Sequence, residues 1–134
     1  MCKLTARMVL DLPIERNKDL LLVQKSVLNR LGANAPFTSR KRIIKLVCIE
    51  PAPRFYVSRD EASRVISKIE SGEGIKRKEG LRAEMYCELF SVYSRIKADN
   101  PKLERMQIID LAVVEPASTF FLKEAYVQYL LNRA

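Results

Sequence analysis

Arg40, Lys41, Arg42 and Lys45 put four cations within six residues, and Arg54, Arg59, Arg64 and Lys68 continue the basic run. Cations repeated at short spacing neutralise phosphates, so the chemistry this pattern predicts is capture of a polyanion rather than the making of bonds. The groups that make bonds are scarce. The chain has no histidine, which removes the commonest general base near neutral pH and every Ser-His and Cys-His nucleophile pair. Cys2, Cys48 and Cys87 are odd in number and far apart, so neither a disulfide framework nor a structural metal is expected. Glu84 and Glu88 are spaced to share a helical face, but a solvated carboxylate pair without a partner is the ordinary outcome. The glycine-containing stretch from Ser71 to Gly80 lacks the Gly-Lys-Ser or Gly-Lys-Thr ending of a phosphate-binding loop. These absences predict a protein that is not an enzyme and needs no cofactor or metal.

The elements that hold the cations come from an internal repeat. Shifting the sequence by 65 positions aligns residues 16–69 with residues 81–134 without a gap, and 13 of the 54 pairs are identical. Composition alone would match about three. The densest block pairs Ile43, Ile44, Leu46, Glu50, Pro51, Ala52 and Phe55 with Ile108, Ile109, Leu111, Glu115, Pro116, Ala117 and Phe120. The expected organisation is therefore an N-terminal segment (1–15), a first copy (16–69), an exposed connector (70–80) and a second copy (81–134), either as two modules or around one shared core.

Each copy reads as three helices. Leu20, Val27 and Leu31, repeated as Met85, Val92 and Ile96, form the stripe of the first, and Gly32 supplies a stop. The second carries Ile43, Leu46, Val47 and Ile49, or Ile108, Leu111 and Val114, with Asn100-Pro101 expected as its cap in the second copy. Pro51 and Pro116 disfavour helical geometry at the residue before them, so the second helices end there. Phe55-Tyr56-Val57 and Phe120-Phe121-Leu122 then form extended, buried plugs. Ser58 and Glu61 have the spacing of a capping box opening the third helix, whose core face is Ala62, Val65, Ile66 and Ile69, or Val127, Leu130, Leu131 and Ala134. The fold class predicted is mainly α: two tandem diverged copies of a three-helix, helix-turn-helix-like unit, with a short extended segment after each Glu-Pro-Ala turn.

The net charge of +8 lies entirely in the first copy, which has twelve basic and four acidic residues against seven of each in the second. Lys41, Arg42, Lys45, Arg54, Arg59 and Arg64 stand opposite Met106, Gln107, Asp110, Thr119, Glu124 and Tyr129. Units with one backbone do not need those six charges for folding, so a partner is the better account. The bland account is a solvated face neutralised in part by Asp60 and Glu61 at helical distance from Arg64. Arg30, Arg40 and Glu50 recur in both copies, which predicts ion pairs or caps required by the fold.

The partner expected is nucleic acid, DNA first, with a single strand or RNA as the alternative. The third helix of the first copy enters the major groove, Arg59 and Arg64 touch bases or phosphates, and Lys41, Arg42, Lys45 and Arg54 set the register on the backbone. The connection of eight residues from Glu50 to Val57 is long for that motif. The rival is a protein-interaction module that uses the aromatic last helix. There Tyr126, Tyr129, Leu130 and Leu131 provide a surface for a homodimer or for contact between copies. No apolar run approaches the roughly 20 residues of a membrane span, and residues 1–12 lack a leader's continuous apolar core. A cytoplasmic location is the matching expectation.

Overall fold

The structure, a computed structural model, describes residues 11–73 and 80–133. Six α-helices carry the described chain: α1 (Leu12–Leu31), α2 (Arg40–Cys48), α3 (Arg59–Glu70), α4 (Leu81–Asp99), α5 (Arg105–Val113) and α6 (Glu124–Arg133), with a 3-10 turn at Gly32–Phe37 after α1. The mainly helical expectation holds. Cys2, connector residues 74–79 and Ala134 lie outside the described residues. No described helix is long and apolar enough to cross a membrane.

Element bounds recur at the 65-residue offset: α2 and α5 are both nine residues long with both ends in register, and α3 and α6 start in register. Local chemistry accounts for most ends. Gly32 closes α1 with a φ of 54°, and its N–H donates to the Leu28 carbonyl. Ser39 and Ser58 cap α2 and α3 by accepting from the N–H groups of Arg42 and Glu61. α2 and α5 stop before Pro51 and Pro116, as the restriction on residues preceding proline requires.

Three local expectations are corrected. α1 starts at Leu12, four residues before the repeat, because Asp11 accepts from the Ile14 N–H and Pro13 tolerates the first turn. Asn100 does not open α5. Its N–H and its side-chain amide both donate to the Ile96 carbonyl and end α4, whereas Glu104 and Gln107 form the capping box that starts α5. The box predicted at Ser58 is half made, because the Glu61 carboxylate turns to Arg82 and the Tyr86 hydroxyl instead.

The tertiary arrangement departs from the helix-turn-helix unit. α1 packs on α2 and α4 on α5, but α3 packs on α4 and α5, and α6 packs on α1 and α2. α2 and α3 make no close backbone approach. Each third helix thus leaves its own segment and completes the other. At the crossing, Ala52 and Ala117, which occupy equivalent offsets, exchange two backbone hydrogen bonds of 2.9 Å in an antiparallel bridge. Reciprocal pairing of equivalent residues is what a local two-fold axis produces. The bridge lies three residues before the expected plugs, which form no strand among the described residues: Phe55, Val57 and Phe120 are buried, but Tyr56, Phe121 and Leu122 are half-buried and Phe121 leaves extended geometry with a φ of 55°. One hydrophobic cluster draws on all six helices, including Leu20, Ile44, Ile66, Leu89, Ile109 and Val127.

The exchange is fastened by polar contacts that also recur by offset. Arg40 Nη2 on α2 donates to Asn132 Oδ1 on α6 at 3.1 Å, and Arg105 Nη2 on α5 donates to Ser67 Oγ on α3 at 2.6 Å. Arg30 pairs with Glu50, and Arg95 with Glu115 at 2.9 Å. The recurring charged residues tie helices together.

Candidate nucleic-acid interface

The eight cations separate according to the helices that carry them. Lys41, Arg42 and Lys45 stand on the exposed side of α2, opposite Ile43, Ile44 and Val47, which face the core. Among the described residues no ion pair or side-chain hydrogen bond engages any of the three. Arg40, one residue earlier, is held by Asn132. The N-terminal half of α2 thus carries a cluster of free cations at the helix end whose dipole favours an anion, although the Arg42 N–H is already taken by Ser39. The offset reverses one charge pair. Arg59 binds Asp110 at 2.8 Å, and the corresponding residues Glu124 and Lys45 carry the opposite charges but form no ion pair among the described residues.

The other basic residues are differently placed. Arg59 is committed to Asp110 across the segment boundary. Arg54 is half-buried, and its Nε donates to the Phe55 carbonyl at 3.1 Å. Arg64 and Lys68 are both exposed on α3, without an ion partner among the described residues. The neutralisation of Arg64 by Asp60 and Glu61 is not made, since Glu61 serves Arg82 and Tyr86. Because α3 rests on α4 and α5, Arg64 and Lys68 are not joined to the α2 cluster through a packed helix pair. Burial, followed by the Glu61 hydrogen bond, pushes the Tyr86 hydroxyl above its ordinary value.

One contributor escaped the sequence reading of the interface. Tyr126 and Tyr129 on α6 are 42% and 51% exposed, with rings 6.2 Å apart and 17° from parallel. The Arg16 guanidinium lies over Tyr126 at 5.4 Å from the ring centre, and that of Arg133 lies over Tyr129 at 5.3 Å. Both hydroxyls accept from those same arginines, at 3.3 Å and 2.6 Å. The contact between segments foreseen for this aromatic surface exists in the Arg16 to Tyr126 hydrogen bond. Phe55 and Phe120 are core residues, as expected.

Glu84 and Glu88 line an open groove of about 630 Å³ together with Cys48, Phe121 and Glu124. Glu88 is not a free carboxylate on a solvated face: it accepts from the Ser118 N–H at 2.7 Å. The Cys48 thiol is pushed up by burial and by the negative charge of Glu124, the opposite of what activates a thiolate nucleophile. At the equivalent place in the first segment, the Tyr56 hydroxyl donates to Asp19 and its ring stacks on Phe120 at 5.7 Å. No group of three or more potential metal ligands is present among the described residues. Comparison with family models, curated proteins and solved structures returned no match to this chain.

Proposed function

We propose that this chain binds nucleic acid through the phosphate backbone, using Lys41, Arg42 and Lys45 on α2 as the principal contacts. The observation that carries the reading is that these three cations are exposed and unpaired among the described residues while the neighbouring Arg40, Arg54 and Arg59 are each engaged by the fold. Cations that serve the fold find partners; those left free on one helix turn concentrate positive potential that a polyanion neutralises. The two segments are read as diverged copies of one ancestral unit, of which only the first kept the basic α2. In this reading the protein is a binding protein, and phosphate contact by these cations requires no metal or cofactor. Arg64 and Lys68 act as a second, weaker contact. Insertion of α3 into a DNA major groove loses support, because α3 packs on the second segment and Arg59 is held there.

A second reading has its own observation. The outer face of α1 leaves Ile14, Leu21 and Leu22 exposed, with Lys18 and Lys25 alongside, a pattern that suits an amphipathic partner helix with acidic flanks. Fluorescence anisotropy with labelled oligonucleotides across a salt series separates the two. Affinity that falls steeply with salt supports phosphate contact, and absence of binding at low salt hands the function to the α1 face.

A further inference from the structure

We propose that the seam between α6 and the first turn of α2 is a binding site for single-stranded nucleic acid. Tyr126 and Tyr129 stack bases there, while the free cations Lys41 and Arg42 hold the phosphates between them. The proposal rests on the nucleic-acid reading above and names its substrate class.

The fold uses Tyr126 through its hydroxyl contact to Arg16, a fastening that does not require an aromatic ring. At the same offsets α3 carries Glu61 and Arg64, yet α3 packs on its neighbours as α6 does. Two tyrosines about half exposed leave apolar ring surface in water, where a planar ligand would cover it. Their orientation is nevertheless fixed, because each hydroxyl accepts from an arginine whose guanidinium also lies over the ring. Rings held in advance lose little freedom on binding. A base can stack on the ring or on the guanidinium plane laid over it, since both are surfaces that single-stranded bases use.

The phosphate contacts are carried by the helix that packs on α6. Arg40 Nη2 binds Asn132 Oδ1 at 3.1 Å, which joins the first turn of α2 to the last turn of α6, one residue from Arg133 and three from Tyr129. α2 and α6 pack on each other, so the cations of the one and the tyrosines of the other lie on neighbouring helices, linked by the Arg40–Asn132 contact. A duplex hides its base faces within its own stack and offers this platform nothing but phosphates. A single strand offers both bases and phosphates.

Three labelled ligands test the proposal with the full chain at low salt: a twelve-nucleotide thymidine strand, an abasic strand of the same length, and a twelve-base-pair duplex. The thymidine strand should bind most tightly. Y126A/Y129A should weaken it by about fivefold or more for each base that loses its stacking partner, while binding of the abasic strand stays unchanged. Y126F/Y129F keeps the rings and should keep most of the affinity; circular dichroism verifies the fold of each variant, and Y129S replaces the double variant if that one does not fold. Equal affinity for thymidine and abasic strands overturns the stacking site but leaves phosphate binding standing. No binding to any of the three overturns both. If sedimentation shows that the tyrosine changes dissolve a dimer while thymidine affinity persists, the patch serves self-association and the proposal fails.

Discussion

Replacing Arg105 by alanine should cost far more than the same change at Arg40, although the two residues occupy equivalent offsets. The Arg105 side chain is 35% exposed. Its Nη1 donates to Ser63 Oγ at 2.7 Å, and its Nη2 donates to the Ser63 carbonyl at 2.7 Å and to Ser67 Oγ at 2.6 Å. Its Nε stands 3.9 Å from the Glu70 carboxylate. Three hydrogen bonds from a charged donor at about 1.5 kcal/mol each, reduced by roughly 2 kcal/mol of rotamer entropy released on truncation, leave about 2–3 kcal/mol. For a chain of this size that corresponds to a fall in Tm of about 7–10 °C. Arg40 makes one 3.1 Å bond between exposed groups, so its loss should stay within about 0.5 kcal/mol. Arg105→Lys keeps the charge beside Glu70 but lacks the planar fork, and should recover less than half of the loss. Urea unfolding followed by circular dichroism measures all three. An Arg105→Ala variant within about 0.5 kcal/mol of the parent, or equal to Arg40→Ala, would refute this account of how α3 is fastened to α5.

Two further outcomes follow from the same structure. A chain limited to residues 1–73 should show no cooperative urea transition, because α3 rests on α4 and α5; a sharp transition in that fragment would revive the autonomous three-helix unit. Burial, and then the hydrogen bond and charge of Asp19, raise the Tyr56 hydroxyl above its ordinary value. A phenol raised in the folded state contributes stability that is complete below its unfolded pKa of about 10 and is lost as pH rises through the folded value. Tyr56→Phe should therefore lower stability at pH 7 by about 1 kcal/mol and flatten part of the decline above about pH 10. Parallel declines in variant and parent would contradict that origin.

Much of the helical layout was legible because its causes are local. Leu20 and Val27 at helical spacing, the Ser58 position, Gly32 and the two Glu-Pro-Ala turns act within a few residues of themselves. Asp11 and Pro13 carried an equally local start signal for α1, but it lies outside the repeat alignment and so escaped. What the sequence did not carry is the partner of each apolar face. Ala62, Val65 and Ile66 mark α3 as amphipathic whether it packs on its own segment or on the other. The exchange depends on the Ala52 to Ala117 crossing, a bridge between residues 65 positions apart. The interface was legible to the same extent. Charge is a property of residue type, so the α2 cluster stands out in the sequence. The engagement of Arg59 by Asp110 and of Arg40 by Asn132 depends on helices brought from the other segment. Tyr126 and Tyr129 resembled a packing surface until the structure left them half in water with arginines over their rings.

The most direct test of the central claim is the salt dependence of nucleic-acid binding by the parent chain and by K41A/R42A/K45A. Removing three phosphate-neutralising cations should make the slope of log affinity against log salt shallower by about 2.7 on duplex DNA and about 2.1 on a single strand. Equal slopes for parent and variant would contradict the assignment of α2 as the phosphate-binding element.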